Sequence, residues 1–228
     1  QDFDEIVPPY RVGNGASGSN QFYTTWWGKQ NLNTSTFAST YQLGGGILDP
    51  YLKSSPIFAC PDLPDNVSTG KGLTGYGYNT DYLSPIGSGM PQDAFGEQID
   101  ASGDTVMVPL TIAKIQAPSL TVLMADAGAT GANNTIAADP WLDAPCFAGT
   151  FEVFHGVHNG LGNVLWVDGH VKAVAPLYDF SDPAHINLHL GAIDLTVRPI
   201  GQGITDELFN GLGVPRHNPN DFSVAPGC

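Results

Sequence analysis

Apolar residues in this chain come in short runs, separated by stretches rich in Gly, Asn, Ser and Pro, and they rarely recur at helical spacing. The first 46 residues read as mostly irregular: an acidic start, Pro8-Pro9, a Gly/Ser/Asn run, then the aromatic group Phe22, Tyr23, Trp26 and Trp27. Residues 47–53 read as a short helix, and residues 76–83 (YGYNTDYL) have the aromatic content of a strand. A short strand is predicted over 105–108, and Thr111 is placed to cap one helical turn over 112–115, which stops before Pro118. The nearly continuous apolar run 120–125 (LTVLMA) predicts a buried strand, and the alternation over 151–154 predicts a second strand of the same sheet. Past residue 174, one strand (193–197) and one short helix opened by Thr205-Asp206-Glu207 are expected.

The clearest local signal is a hairpin. Residues 163–167 (NVLWV) and 170–174 (HVKAV) flank Asp168-Gly169, a dipeptide suited to a type I′ turn in which both central residues have positive φ. Two-residue closure would pair Val167 with His170, Trp166 with Val171, Leu165 with Lys172 and Val164 with Ala173. Val164, Trp166, Val171 and Ala173 would then share an apolar face that has to pack on something large. Leu165, Val167, His170 and Lys172 would form the other, partly covered face.

Composition sharpens the class. The 28 glycines and 18 prolines are about a fifth of the 228 residues, where roughly 12% is ordinary. Charged residues are 13%, about half the usual share. Such a chain is poor in long amphipathic helices, whose outer faces carry Lys and Glu. The expected class is α+β and β-rich, with long Gly/Pro-rich loops and no stretch apolar enough to span a membrane. Eight basic residues against 22 acidic ones, a net charge of −14, argue against nucleic acid, which is bound by Lys/Arg clusters. Acidity keeps a secreted chain soluble and suits Ca2+, for which the pairs Asp62/Asp65 and Asp100/Asp104 offer oxygen ligands.

Cys60, Cys146 and Cys228 lack metal-type spacing and fit an oxidising compartment, with one sulfur left over. Asn33, Asn66 and Asn133 each begin an Asn-x-Ser/Thr tripeptide, which permits glycosylation. His155, His158, Asp168 and His170 lie close in sequence and are zinc-ligand types, so a metal-dependent hydrolase is one reading. Against it, Asp favours that turn position for conformational reasons alone, and no general base is evident nearby. His185 and His189 have helical spacing but little room for a helix between Pro183 and Gly191, and read as surface residues. No cysteine has a neighbouring His in sequence, no Gly-x-Ser-x-Gly is present, and Gly44-Gly45-Gly46 lacks the setting of a phosphate loop. The aromatic group Phe22, Tyr23, Trp26 and Trp27 suits either a sugar-binding platform or the core beneath a loop.

Several separated segments resemble one family. Residues 1–9 (QDFDEIVPP) resemble the stretch that follows the N-terminal helix in type IV pilin-like, or pseudopilin, subunits with a C-terminal His-(nine residues)-Asp-Gly signature. Here that signature is His158, nine residues, then Asp168-Gly169. The likeness continues at 48–53 (LDPYLK), 57–62 (IFACPD), 76–79 (YGYN) and 115–126 (IQAPSLTVLMAD), and spans residues 1 to about 174.

The resemblance implies an antiparallel sheet packed on a long N-terminal helix, a helix this sequence does not contain. It implies a non-catalytic role as an exported subunit, freed of a leader, that polymerises with itself and other filament subunits at the cell surface. A membrane would be reached only through the missing helix. Under this reading residues 1–174 are the pilin-like head, Trp166 and Val171 supply its hairpin's buried face, and His158 braces the approach to it. Residues 175–228 are an extension that a neighbouring subunit could receive. Cys146 would pair with Cys228, leaving Cys60 for the helix; alternatively Cys60 pairs with Cys146 and Cys228 tethers a neighbour. The rival from another class is a glycan-binding surface protein or adhesin using Trp26, Trp27 and the tyrosine-rich strand over 76–83.

Overall fold

A four-stranded sheet lies where irregular chain was expected. In a computed structural model describing residues 6–17, 19–33, 35–36, 38–52, 54, 57, 60–63, 74–84, 110–145, 153–178, 183–193, 206–209, 211 and 213, strands β1 (Arg11–Ser17), β2 (Asn20–Thr25), β3 (Gly28–Asn33) and β4 (Ala38–Leu43) form an antiparallel meander. Its inward positions explain why the pattern concealed it. Arg11, Tyr23, Thr25 and Gln30 are buried, so the two faces alternate without an apolar/polar contrast. These groups are held by contacts along and across the strands. The Arg11 guanidinium lies 4.3 Å from the Tyr23 ring centroid. The Tyr23 hydroxyl donates to Gln21 Oε1 at 2.6 Å, and Gln30 Nε2 donates to Ser39 Oγ at 3.2 Å.

The β2–β3 turn anchors this sheet to the rest of the molecule. Thr25 Oγ1 both accepts from the Gly28 N–H and lies within bonding distance of Gly28 O, each at 3.0 Å. A Cβ at Gly28 would stand 2.0 Å from Gln42 O, so β4 approaches too closely for any other residue. Trp26 and Trp27 at the tip are 3% and 0% exposed. Trp27 packs on Tyr10 at 5.7 Å between ring centroids, and Tyr10 on Tyr78 at 6.3 Å, spacings usual for aromatic pairs. With Val7, Leu63, Leu83 and Ile115 they form the core that joins this sheet to the next.

The remaining elements, in chain order, are β5 (Tyr76–Tyr78), α1 (Thr80–Leu83), β6 (Val122–Asp126), the hairpin β7 (Gly128–Thr130) and β8 (Ile136–Ala138), β9 (Phe154–His155), β10 (Gly162–Trp166), β11 (Val171–Val174), α2 (Pro183–Asn187) and β12 (Leu190–Gly191). The second sheet has the order β11–β10–β6–β5. The expected strand over 76–83 breaks at Asn79, whose side chain accepts from the Tyr82 N–H and donates to Val122 O and Phe209 O at 2.9 and 3.0 Å. The short helix expected over 47–53 is a 3-10 turn at Asp49–Tyr51, and the turn after Thr111 is a 3-10 turn at Ile112–Lys114 without a bond from the Thr111 side chain. The buried strand expected over 120–125 is β6. β9 pairs with β12 in a two-stranded sheet of its own and meets the chain just past β6 at the bridge Ala127–Phe154. Of the strand expected over 151–154, residues 151 and 152 lie outside the described residues, and Phe154 is thus placed beside the second sheet and not in it. The strand expected over 105–108 lies outside the described residues. Among the described residues no helix is long and apolar enough to cross a membrane.

The hairpin forms at the expected place in a different register. Leu165 faces Val171, Val164 faces Lys172 and Gly162 faces Val174. Trp166 N–H donates to His170 O at 3.0 Å and Gly169 N–H to Trp166 O at 2.9 Å, leaving a three-residue loop of Val167, Asp168 and Gly169. Only Gly169 has positive φ (+92°), as in a turn followed by a left-handed glycine; a type I′ turn would need Asp168 there too. A slip of one residue moves one strand's side chains to the opposite face. Val164 and Trp166 are buried as expected, whereas Val171 is 61% exposed on the edge strand and Ala173 is exposed, so their expected place in the buried face is corrected. Val171, Leu165, Met124 and Tyr78 instead make one cross-strand row, open at Val171 and closed at Tyr78.

The buried side of the hairpin needs no outside partner. Val164 and Trp166 join Val122, Ala125, Leu142 and Phe154 in a second core closed by Ile193, Leu208 and Phe209 from the C-terminal segment. That segment is further tied by reciprocal Leu177–Ala192 backbone bonds and by Gly211 O, which accepts from Gln116 and Ala117 N–H. Of the strand expected over 193–197, only Ile193 lies within the described residues, and it is part of this core. In urea unfolding, Trp166→Ala and Phe209→Ala are each expected to cost about 3–5 kcal/mol. Val171→Thr should stay within about 0.5 kcal/mol, and a cost matching that of Trp166→Ala would refute the register.

Candidate functional site

The polar residues of three distant segments meet at His158. It stands at one side of the turn His158-Asn159-Gly160-Leu161, where Asn159 and Gly160 have φ of 57° and 85°, the pair of positive values a type I′ turn requires. This turn leads into β10. Cys60 is positioned by its N–H bond to Thr74 O at 3.0 Å and by Leu63 N–H, which donates back to Cys60 O. Asp126 ends β6, the strand between β5 and β10.

The imidazole of His158 has a partner at each nitrogen. Nδ1 lies 2.5 Å from Asp62 Oδ2, while Nε2 lies 3.2 Å from Asp126 Oδ2 and 3.8 Å from Cys60 Sγ. Asp62 is largely exposed, but the Asp126 side chain has no exposed surface. Asp126 Oδ2 also accepts the Asn163 N–H at 2.6 Å, and Oδ1 is buried without a hydrogen-bond partner. Burial is the largest influence on the Asp126 carboxyl and pushes its pKa up, against the lowering pull of the Asn163 N–H and His158. Burial likewise raises the Cys60 thiol. Cysteine, imidazole and carboxylate in this order resemble a nucleophile, its base and an orienting group. The environment suppresses the Cys60 thiolate, however, which is the reverse of what a nucleophile requires. The same three donors are metal-ligand types, and their ligating atoms lie within 4.8 Å of one another.

The histidines grouped by sequence are therefore spread through the structure. His170 Nδ1 meets Asp168 Oδ1 at 2.6 Å, the same oxygen accepts the His170 N–H at 3.2 Å, and the ring stacks on Trp166 at 5.5 Å and 10°. Asp168 thus serves the turn, and its carboxyl is held below the usual range by these His170 bonds. His155 is buried in β9 with Nδ1 unpartnered. His185 is buried in α2, not at the surface as expected, while His189 lies beyond the helix at φ +55° with Nδ1 3.3 Å from the Tyr178 hydroxyl. Trp26 and Trp27 are core residues, so neither offers a platform for a sugar.

Cys60 is a free, buried thiol; Cys146 and Cys228 lie outside the described residues. Asn33 is bound through both ends of its amide, to Asn20 Oδ1 and from the Ser35 and Thr36 N–H groups, whereas Asn133 is exposed at φ 59°. Asn66, Asp65, Asp100 and Asp104 lie outside the described residues. Sequence reading missed Cys60 and Asp126 as partners of His158. The available signals were Asn159-Gly160, itself a strong turn dipeptide, and the fact that two of the recognisable blocks end on Asp62 and Asp126. Comparison with protein-family models, curated proteins and solved structures gave no match.

Two ionisable groups outside this cluster, the buried His155 and the half-buried Asp143, set opposing pH dependences. Burial, with His189 and His158 nearby, lowers His155 to about 4, so stability is lost as pH falls from about 6.5 to about 4. Burial, reinforced by Asp139, raises Asp143 to about 7. The folded state then holds a proton that the unfolded chain releases near pH 4, and stability is lost as pH rises from about 4 to about 7. The stability gain of Asp143→Asn over the parent chain, followed by urea midpoints, should grow across that window and level off above it. A constant difference would show that Asp143 ionises normally.

Proposed function

We propose that this chain is a structural subunit of an extracellular filament, type IV pilus-like or pseudopilus-like, acting by assembly and surface display without catalysis. The observation that carries this reading is the second sheet. Its strands come from the segments that resemble the pilin-like family, and its row of Val171, Leu165 and Met124 is not closed over at the β11 edge. An apolar row that remains open at a sheet edge is a surface for another element or another subunit. The low content of Lys and Glu and the Gly/Pro-rich loops suit a display domain outside the cell. On this reading the partners are copies of the chain and companion filament subunits.

Electron microscopy of native material tests the reading directly: ordered polymers containing this chain are expected, and exclusively monomeric or amorphous material would overturn it. Val171→Glu should fold with near-parental stability, because the position is exposed, yet reduce polymer formation at least tenfold. Undiminished assembly of that variant would remove the β11 row from the interface.

A further inference from the structure

We propose that Cys60, Asp126 and His158 form a binding site for one divalent transition-metal ion of the zinc type. The argument begins with protons. Asp62 accepts from His158 Nδ1, which directs the Nε2 lone pair toward the Asp126 carboxylate 3.2 Å away. Two acceptors facing each other at that distance repel unless a cation lies between them, and that cation is either a proton or a metal ion. The rest of the surroundings favours the metal. A sulfur stands 3.8 Å from the same Nε2, and the three donor atoms lie within 4.8 Å of one another. A tetrahedral zinc with bonds of about 2.0–2.3 Å holds its ligand atoms roughly 3.3–3.6 Å apart, close to the 3.2 Å and 3.8 Å at which Asp126 and Cys60 stand from Nε2.

The unpartnered Asp126 Oδ1 is the second, independent sign. The carboxylate has no exposed surface, and a single proton shared with His158 at Oδ2 leaves Oδ1 unsatisfied. A buried acceptor without a partner is costly, and a bound cation would neutralise the whole carboxylate. The outer contacts also have the form found around metal sites. Asp62 orients the ligating imidazole through its other nitrogen, and the Asn163 N–H orients the carboxylate. Thiolate, imidazole and carboxylate together suit zinc better than the all-oxygen preference of Ca2+ or Mg2+. With three protein ligands, the fourth position is left for water or another small donor. Binding would release the Cys60 proton and fasten the 60–63 loop to β6 and to the turn before β10.

The test uses the full chain, stripped with a chelator and titrated with Zn2+ in competition with a chromophoric indicator, and separately with Co2+. Expected are one equivalent bound, a thiolate-to-cobalt charge-transfer absorption, and a rise in melting temperature on adding Zn2+. Cys60→Ser, a near-isosteric change, should abolish the cobalt–sulfur band and weaken Zn2+ at least tenfold. Asp62→Asn, a positioning change, should weaken Zn2+ about tenfold while keeping the band. His170→Ala, at the other histidine–aspartate pair, should leave binding unchanged. Absence of the cobalt–sulfur band in the stripped parent chain, or equal Zn2+ binding by the parent and Cys60→Ser, would overturn the site and leave His158 as a proton-bridged brace. Because no readout depends on polymerisation, this outcome is separable from that of the filament reading.

Discussion

A carboxylate with no exposed surface, on an inner strand of a sheet, is the constraint around which this molecule is arranged. Asp126 loses its water on folding, and it recovers only part of that loss from the Asn163 N–H of β10. A further part comes from His158, and His158 can supply it only if the turn at Asn159-Gly160 places the ring beside the end of β6. Asp62 in turn holds that ring from its exposed side, and it does so only if the 60–63 loop comes down on the sheet. One buried carboxylate therefore couples the pairing of β6 with β10, the entry into β10 and the docking of the 60–63 loop.

The second constraint is aromatic. Trp26 and Trp27, at the tip of a polar hairpin, give the first sheet the apolar surface its own faces lack. Through Tyr10 they reach Tyr78 on β5, whose hydroxyl donates to Pro8 O at 2.7 Å. Among the described residues, a few large side chains thus join the two sheets. This suits a chain with few charges and many glycines, because two rings bury more area per ordered residue than several small side chains.

The sequence made some of this legible. β6, the place of the hairpin after β10 and the presence of helical turns within 47–53 and 112–115 were legible from local chemistry, because each depends on residues adjacent in sequence. What escaped was decided elsewhere. The meander over 11–43 hides because Arg11, Thr25 and Gln30 fill inward positions and are compensated by cross-strand partners that periodicity cannot register. The hairpin register turned on whether Asp168 adopts positive φ. Asp168 instead accepts two bonds from His170, and that local preference lengthens the loop by one residue and exposes Val171. The site was invisible because its members are brought together by topology. Spacing in the sequence pointed His158 toward His155, Asp168 and His170, none of which touches it through a bond among the described contacts.

The position of Cys60 shows how loop closure and chemistry meet. A chain with long Gly/Pro-rich loops must offset the entropy of closing them, and a cysteine on such a loop is the usual raw material for a covalent tie. Here the sulfur is a free thiol, buried, with a raised pKa, and aimed at an imidazole already held by two carboxylates. The groups around it do not activate it, and among the described residues none presents a second sulfur. What they do supply is a compact set of acceptors with excess negative charge and one unsatisfied oxygen. A proton can balance part of that charge but can satisfy only one side of the Asp126 carboxylate. A divalent cation would reach the thiolate, the imidazole and the carboxylate together, and would close the 60–126 and 126–158 loops in one step.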